Sequence, residues 1–230
     1  MGSADNKLAR RRLAAFTLPM AVFLVLLALN SVLRGMDGGA WLDSPEHWIY
    51  PAQTIFCGAL LLWFWREYEL RLAGRSAFAL LVGLTVFGLW ISPQALLGFP
   101  PRHDGFNPEI FLGQPALYWS TIGFRFLRLV VVVPLVEEIF WRGFVLRYFS
   151  NEKFYSVPVG TFSWLSFAIG TVGFGFAHAQ ADWIAALMAG ALYNCVAYRT
   201  KNLASCVLAH ALTNLLLGLW IMKTGQWGFW

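Results

Sequence analysis

The chain has little charge. Only 13% of its 230 residues are Asp, Glu, Lys or Arg, against about 25% in a soluble globular domain. That shortage excludes an ordinary soluble protein with a charged, solvated surface. Cysteine is scarce too. Cys57, Cys195 and Cys206 form an odd-numbered set, each inside an apolar run, which reads as three small buried hydrophobes rather than a disulfide framework or a nucleophile. There is no H-E-x-x-H zinc motif, and no serine or cysteine stands in the company that would activate it. The sequence shows no internal repeat, no low-complexity tract and no second domain.

What is abundant is apolar. Hydrophobic residues make up 58% of the chain and mean hydropathy is +0.58, spread along the whole length. This predicts an all-α, polytopic transmembrane helical bundle of seven to eight helices, forming a single integral membrane domain over 1–230. At about 20 residues per crossing, seven spans fall at roughly 13–33, 48–65, 76–98, 119–147, 158–178, 182–198 and 203–222. The first run is too long for a signal h-region and lacks an A-x-A exit, so it reads as a retained helix. Prolines at Pro100, Pro101 and Pro108 set an exposed loop between the third and fourth spans.

The net charge of +5 has a topological reading. Lys7, Arg10, Arg11 and Arg12 precede the first span. Arg66, Arg71 and Arg75 follow the second. Arg142, Arg147 and Lys153 close the fourth, and Arg199 with Lys201 joins the sixth to the seventh. Seven crossings put these four groups on one side. The opposite side holds Arg34, Arg102 and Lys223 among Asp37, Asp43, Glu46, Asp104 and Glu109. By the positive-inside rule the N-terminus is cytoplasmic; a bacterial inner membrane is expected, and nucleic acid is not an expected partner. Arg125 and Arg128 remain, inside the fourth span. Trp41, Trp48, Trp63, Trp65, Trp227 and Trp230 lie near span ends, where aromatic belts form.

Inside the fourth span stands Glu137-Glu138-Ile-Phe-Trp-Arg142. Each ionisable residue near a bilayer centre costs about 2.5–3.5 kcal/mol on insertion scales, so three in six positions imply use. Glu138 and Arg142, four apart, share a face and can pair. Glu137 lies about 100° around the helix without a local cation, the condition of a carboxylate able to take a proton. Pro134 removes a backbone hydrogen bond beside the acids and is expected to kink the helix.

Two further clusters follow. Phe174-Gly-Phe-Ala-His178 ends the fifth span after Gly170, Gly173 and Gly175, which admit close neighbours. His210-Ala-Leu-Thr-Asn214 puts two hydrogen-bonding side chains on one face. Together the set can hydrolyse an amide. Glu137 and His178 can hold and deprotonate a water, or Glu137, His178 and His210 can share a divalent metal such as zinc. His210 and Asn214 can steady an oxyanion. Asp182, four residues after His178, is either a partner for that histidine or a polar helix end. Intramembrane acids and histidines also build proton relays, so a proton-coupled transporter remains open, as does a non-enzymatic chaperone or immunity module.

Glu-Glu-x-x-x-Arg, Phe-x-x-x-His and His-x-x-x-Asn, in that order over about 120–220, resemble the CPBP family, the type II CAAX prenyl endopeptidases and Abi proteins. The resemblance implies an intramembrane endopeptidase with its catalytic core at 116–230 and accessory helices at 1–115. It implies Glu137 and His178 as water activators, His210 and Asn214 as the oxyanion site, and Glu138 with Arg142 orienting them. Metal-dependent and glutamate-type mechanisms both stay open. The implied substrate is a membrane-associated protein or peptide, of which a prenylated C-terminus is the namesake, cut near the cytoplasmic face. The chain's compact size is compatible with the exosortase-associated subset of the family.

Overall fold

Ionisable side chains that cannot face lipid must face one another, and the bundle is arranged around that need. The computed structural model describes residues 3–34, 36, 42, 44–71 and 76–230; Asp37, Trp41, Asp43 and Arg75 lie outside the described residues. Among those described there is no strand, and there are seven helices. These are α1 (Ser3–Arg34), α2 (Glu46–Trp63), α3 (Ser76–Ala95), α4 (115–148), α5 (Trp164–Phe176), α6 (Trp183–Thr200) and α7 (Leu203–Thr224).

The helix ends follow local chemistry. Asn202 caps α7 by accepting from the Ser205 N–H at 2.9 Å, and Lys201 adopts a left-handed conformation (φ 52°) that turns α6 into α7 within two residues. Ser163 caps α5, so that helix begins at Trp164 rather than near 158. Gly225 (φ 64°) ends α7, the left-handed position glycine takes at least cost.

Contacts at the two ends of the bundle sort the loops. At one end Arg11 pairs with Glu67 at 2.7 Å, Asn202 Nδ2 donates to the Arg71 carbonyl at 2.7 Å and the Arg12 guanidinium lies over the Tyr155 ring. Here Tyr68 donates to the Ala15 carbonyl at 2.7 Å, and burial pushes its phenol well above the ordinary value. At the other end Arg34 pairs with Glu46 at 2.7 Å, Arg102 pairs with Asp182 at 2.6 Å and the Gly228 N–H donates to the Arg102 carbonyl at 2.8 Å. The basic groups before α1, after α2, after α4 and between α6 and α7 thus share one end.

Among the described residues, three helices are long and apolar enough to cross a bilayer: Asn6–Arg34, Ser76–Ala95 and Leu203–Thr224. Of the other four expected spans, α4 and α5 fall short of that standard for physical reasons. α5 has 13 residues, and α4 buries Arg125, Arg128, Glu137, Glu138 and Arg142. Val25, Ile55, Leu62, Leu81 and Ile184 face outward, an apolar exterior too large to leave in water. The protein is an integral membrane helical bundle. α3 lies along α7 so closely that a Cβ on Gly83 would stand 2.6 Å from the Ala209 carbonyl oxygen.

Candidate active site

The winding of α4 changes four times. It is α-helical over Pro115–Phe126, π-helical over Leu127–Val132, α-helical over Val133–Glu138, π-helical over Ile139–Val145 and α-helical over Leu146–Tyr148. π-Turns concentrate at functional sites, and two of them bracket Glu137 and Glu138. Pro134 opens the middle α segment. It has no N–H to give the preceding turn, and a π-spaced bond from position 134 would have ended on the Leu129 carbonyl. That carbonyl accepts instead from Asn214 Nδ2 of α7 at 2.8 Å. The disturbance expected at Pro134 therefore takes the form of a change of winding, filled by a side chain from another helix.

Glu138 and Arg142 are both fully buried. Glu138 Oε1 accepts from Arg142 Nη1 at 3.0 Å and stands 2.9 Å from His210 Nδ1. The four-residue pair is the one the spacing predicted; the link to His210 is invisible in the sequence. Arg142 spends the rest of its fork elsewhere. Its Nε donates to Asn194 Oδ1 at 3.0 Å and its Nη2 to the Gly190 carbonyl at 2.9 Å, while its plane lies over the Phe174 ring at 4.7 Å. Tyr193 stacks on the His210 ring, centroids 5.1 Å apart, and donates to Thr213 Oγ1 at 2.8 Å.

Glu137 is placed differently. It is 8% exposed, and its Oε2 is buried without a hydrogen-bond partner among the described residues. It lines a cavity of about 260 Å³ together with His178, His210 and Asn214. α5 is short and starts late, and His178, just past its last turn, lines the same cavity as Glu137. His178 Nδ1 stands 2.8 Å from the Phe174 carbonyl; a carbonyl only accepts, so Nδ1 carries the proton and Nε2 is left to accept in the neutral ring or donate in the charged one. Against the Glu138 carboxylate, Nδ1 of His210 is likewise the donor.

Asp182 does not serve His178. Both its oxygens accept from Arg102, at 2.6 and 3.3 Å, because the 100–106 loop folds over the start of α6. No three His, Cys, Asp or Glu side chains among the described residues form a group able to hold a metal ion. Glu137, His178 and His210 line one cavity, and each histidine is held at Nδ1 by a different acceptor.

Three residues outside the three motifs shape the site. Asn194 and Tyr193 hold Arg142 and His210 as described. Arg128 lines the cavity, donates from Nε to Gln53 Oε1 at 2.6 Å and lies over the Tyr50 ring at 4.4 Å. The available signal was an arginine inside an apolar run, costly there without a purpose.

The chain is an all-helical membrane bundle with a buried Glu–Glu–Arg helix and a cavity lined by glutamate, histidine and asparagine. Residues 118–216 match the family described as type II CAAX prenyl endopeptidase Rce1-like. No curated protein and no solved structure matches the chain.

Proposed function

We propose that the protein is an endopeptidase that hydrolyses a peptide bond of a membrane-associated substrate with a water activated by Glu137 and His178. The observation that carries this reading is the division between the adjacent acids: Glu138 is engaged through Oε1 by Arg142 and His210 and leaves only Oε2 unpartnered, whereas Glu137 makes no hydrogen bond among the described residues and lines the cavity. Glu137 takes the proton of the attacking water, and His178, held by the Phe174 carbonyl, offers Nε2 to the same water. Asn214, through the Nδ2 hydrogen not given to Leu129, and His210, through Nε2 of the charged ring, donate to the developing oxyanion. Glu138 and Arg142 act through His210, fixing its ring and the proton on Nδ1. The side chains favour this glutamate-type chemistry over a metal-bound water, since the donors do not group. Residues 116–230 carry the chemistry, and 1–115 supply Phe23, Leu27 and Trp90 to the cavity wall. The protein sits in a bacterial inner membrane with its N-terminus in the cytoplasm.

The test is Glu137→Gln in purified enzyme and in cells. Cleavage is abolished, precursor proteins accumulate, and the variant inserts and purifies as the parent does. Full cleavage by that variant removes Glu137 from the role. An unchanged set of membrane proteins in the variant strain points instead to a non-enzymatic module.

A further inference from the structure

The cavity opens at one end of the bundle, and that end carries few basic residues. Follow its walls away from Glu137 and His210. On α7 they run through Asn214 and Leu217, and past the end of that helix to Phe229; on α4 they run back through Val133 to Arg128. Arg102 and Asp182 complete the rim. All these positions lie between the acids and the loops of the Arg102–Asp182 end. Toward the basic end the floor is closed, since Glu138, Ile139, Arg142 and Cys206 are fully buried.

A second, larger cavity adjoins the first. It measures about 730 Å³, lies between α3 and α6, and is walled by apolar side chains such as Leu89, Leu97, Ile184 and Met188. Trp90, Arg102, Asp182 and Phe229 line both cavities. Arg102 forms the partition: it pairs with Asp182 and lies over the Phe229 ring at 4.3 Å. Leu97 and Ile184 are strongly exposed on the outer wall, so the groove is open sideways at the same end of the bundle.

We propose that the substrate is an apolar segment of an exported, membrane-associated protein, which enters the groove between α3 and α6 from the non-cytoplasmic face and passes Arg102 to be cut beside Glu137. The inference rests on the protease reading above and adds the side and chemistry of the substrate. The basic end faces the cytoplasm by its charge; the mouth is at the other end. A prenylated C-terminus, which is displayed to the cytoplasm, does not reach such a mouth. An apolar peptide matches the groove wall, and the groove is continuous with the site. It departs from the expectation of cleavage near the cytoplasmic face.

The orientation is tested without reference to activity. In a cysteine-free background (Cys57→Ala, Cys195→Ser, Cys206→Ala), Gly113→Cys marks the mouth end and Glu152→Cys the basic end. A membrane-impermeant maleimide is expected to label Gly113→Cys in intact spheroplasts and Glu152→Cys only after lysis. The reverse pattern overturns the inference while leaving the protease reading intact. Should the triple replacement unfold the protein, protease accessibility of a tag after Trp230, which lies at the mouth end, reads the same side. The substrate is tested by sequencing the precursors that accumulate with Glu137→Gln and with Ala181→Trp, which fills the groove from an exposed wall position. Exported proteins with an apolar segment beside the cut, accumulating in both strains, support the proposal. Accumulation of prenylated cytoplasmic proteins overturns it, and accumulation of nothing in either strain overturns the protease reading beneath it.

Discussion

Glu137 and Glu138 are neighbours in sequence and opposites in energetics. Removing one member of a buried ion pair leaves its partner uncompensated, at about 3–5 kcal/mol. Glu138→Gln strands Arg142 in this way and frees the His210 ring, so its thermal unfolding in detergent, followed by tryptophan fluorescence, comes well below that of the parent. Glu137→Gln breaks no hydrogen bond at Oε2 and unfolds at the parent temperature while losing cleavage. Equal destabilisation by both variants contradicts the division of roles. The four-residue spacing from Glu138 to Arg142 made their pairing legible in the sequence, because helix geometry alone brings them together. The bond from His210 to Glu138 spans 72 positions, and no local pattern encodes it.

Among the helices, α4 and α5 set the site. α4 achieves its depth by alternating α and π winding, and α5 achieves its depth by being short. The late start of α5 was readable from weakly apolar residues before Trp164. The first π segment was not, since it accompanies a tertiary exchange in which Asn214 takes the carbonyl that Pro134 cannot serve. Pro134→Ala restores an N–H at that place and sets it in competition with Asn214 Nδ2 for Leu129. The expected outcome is a fall in kcat of about tenfold or more, the scale of a misplaced catalytic group, with KM little changed. Parent kinetics in Pro134→Ala would dissociate the winding from the chemistry.

For the molecule as a whole, the seven helices and the two charged ends were legible because apolar run length and basic clusters report on a bilayer directly. Which end the cavity opens toward was not, because it depends on how loops 100–106 and 225–230 lace together. Arg102 is the knot: its side chain holds Asp182 and covers Phe229, its N–H donates to Gln226 Oε1 at 3.1 Å and its carbonyl accepts from Gly228. Arg102→Ala cuts the side-chain half of that lacing. Its C-terminal segment becomes more sensitive to limited proteolysis, and KM for substrate changes more than the unfolding temperature does. A variant as resistant as the parent would show that the backbone bonds suffice.

The closed floor beneath Glu137 has a kinetic consequence. In the protease proposed above, a chamber open only toward the Arg102 end cannot discharge its two fragments independently. The piece lodged deeper waits until the piece nearer Arg102 has left, so release is ordered. The outer fragment added in excess then blocks the exit of the inner one, and the two products inhibit turnover with different kinetic patterns.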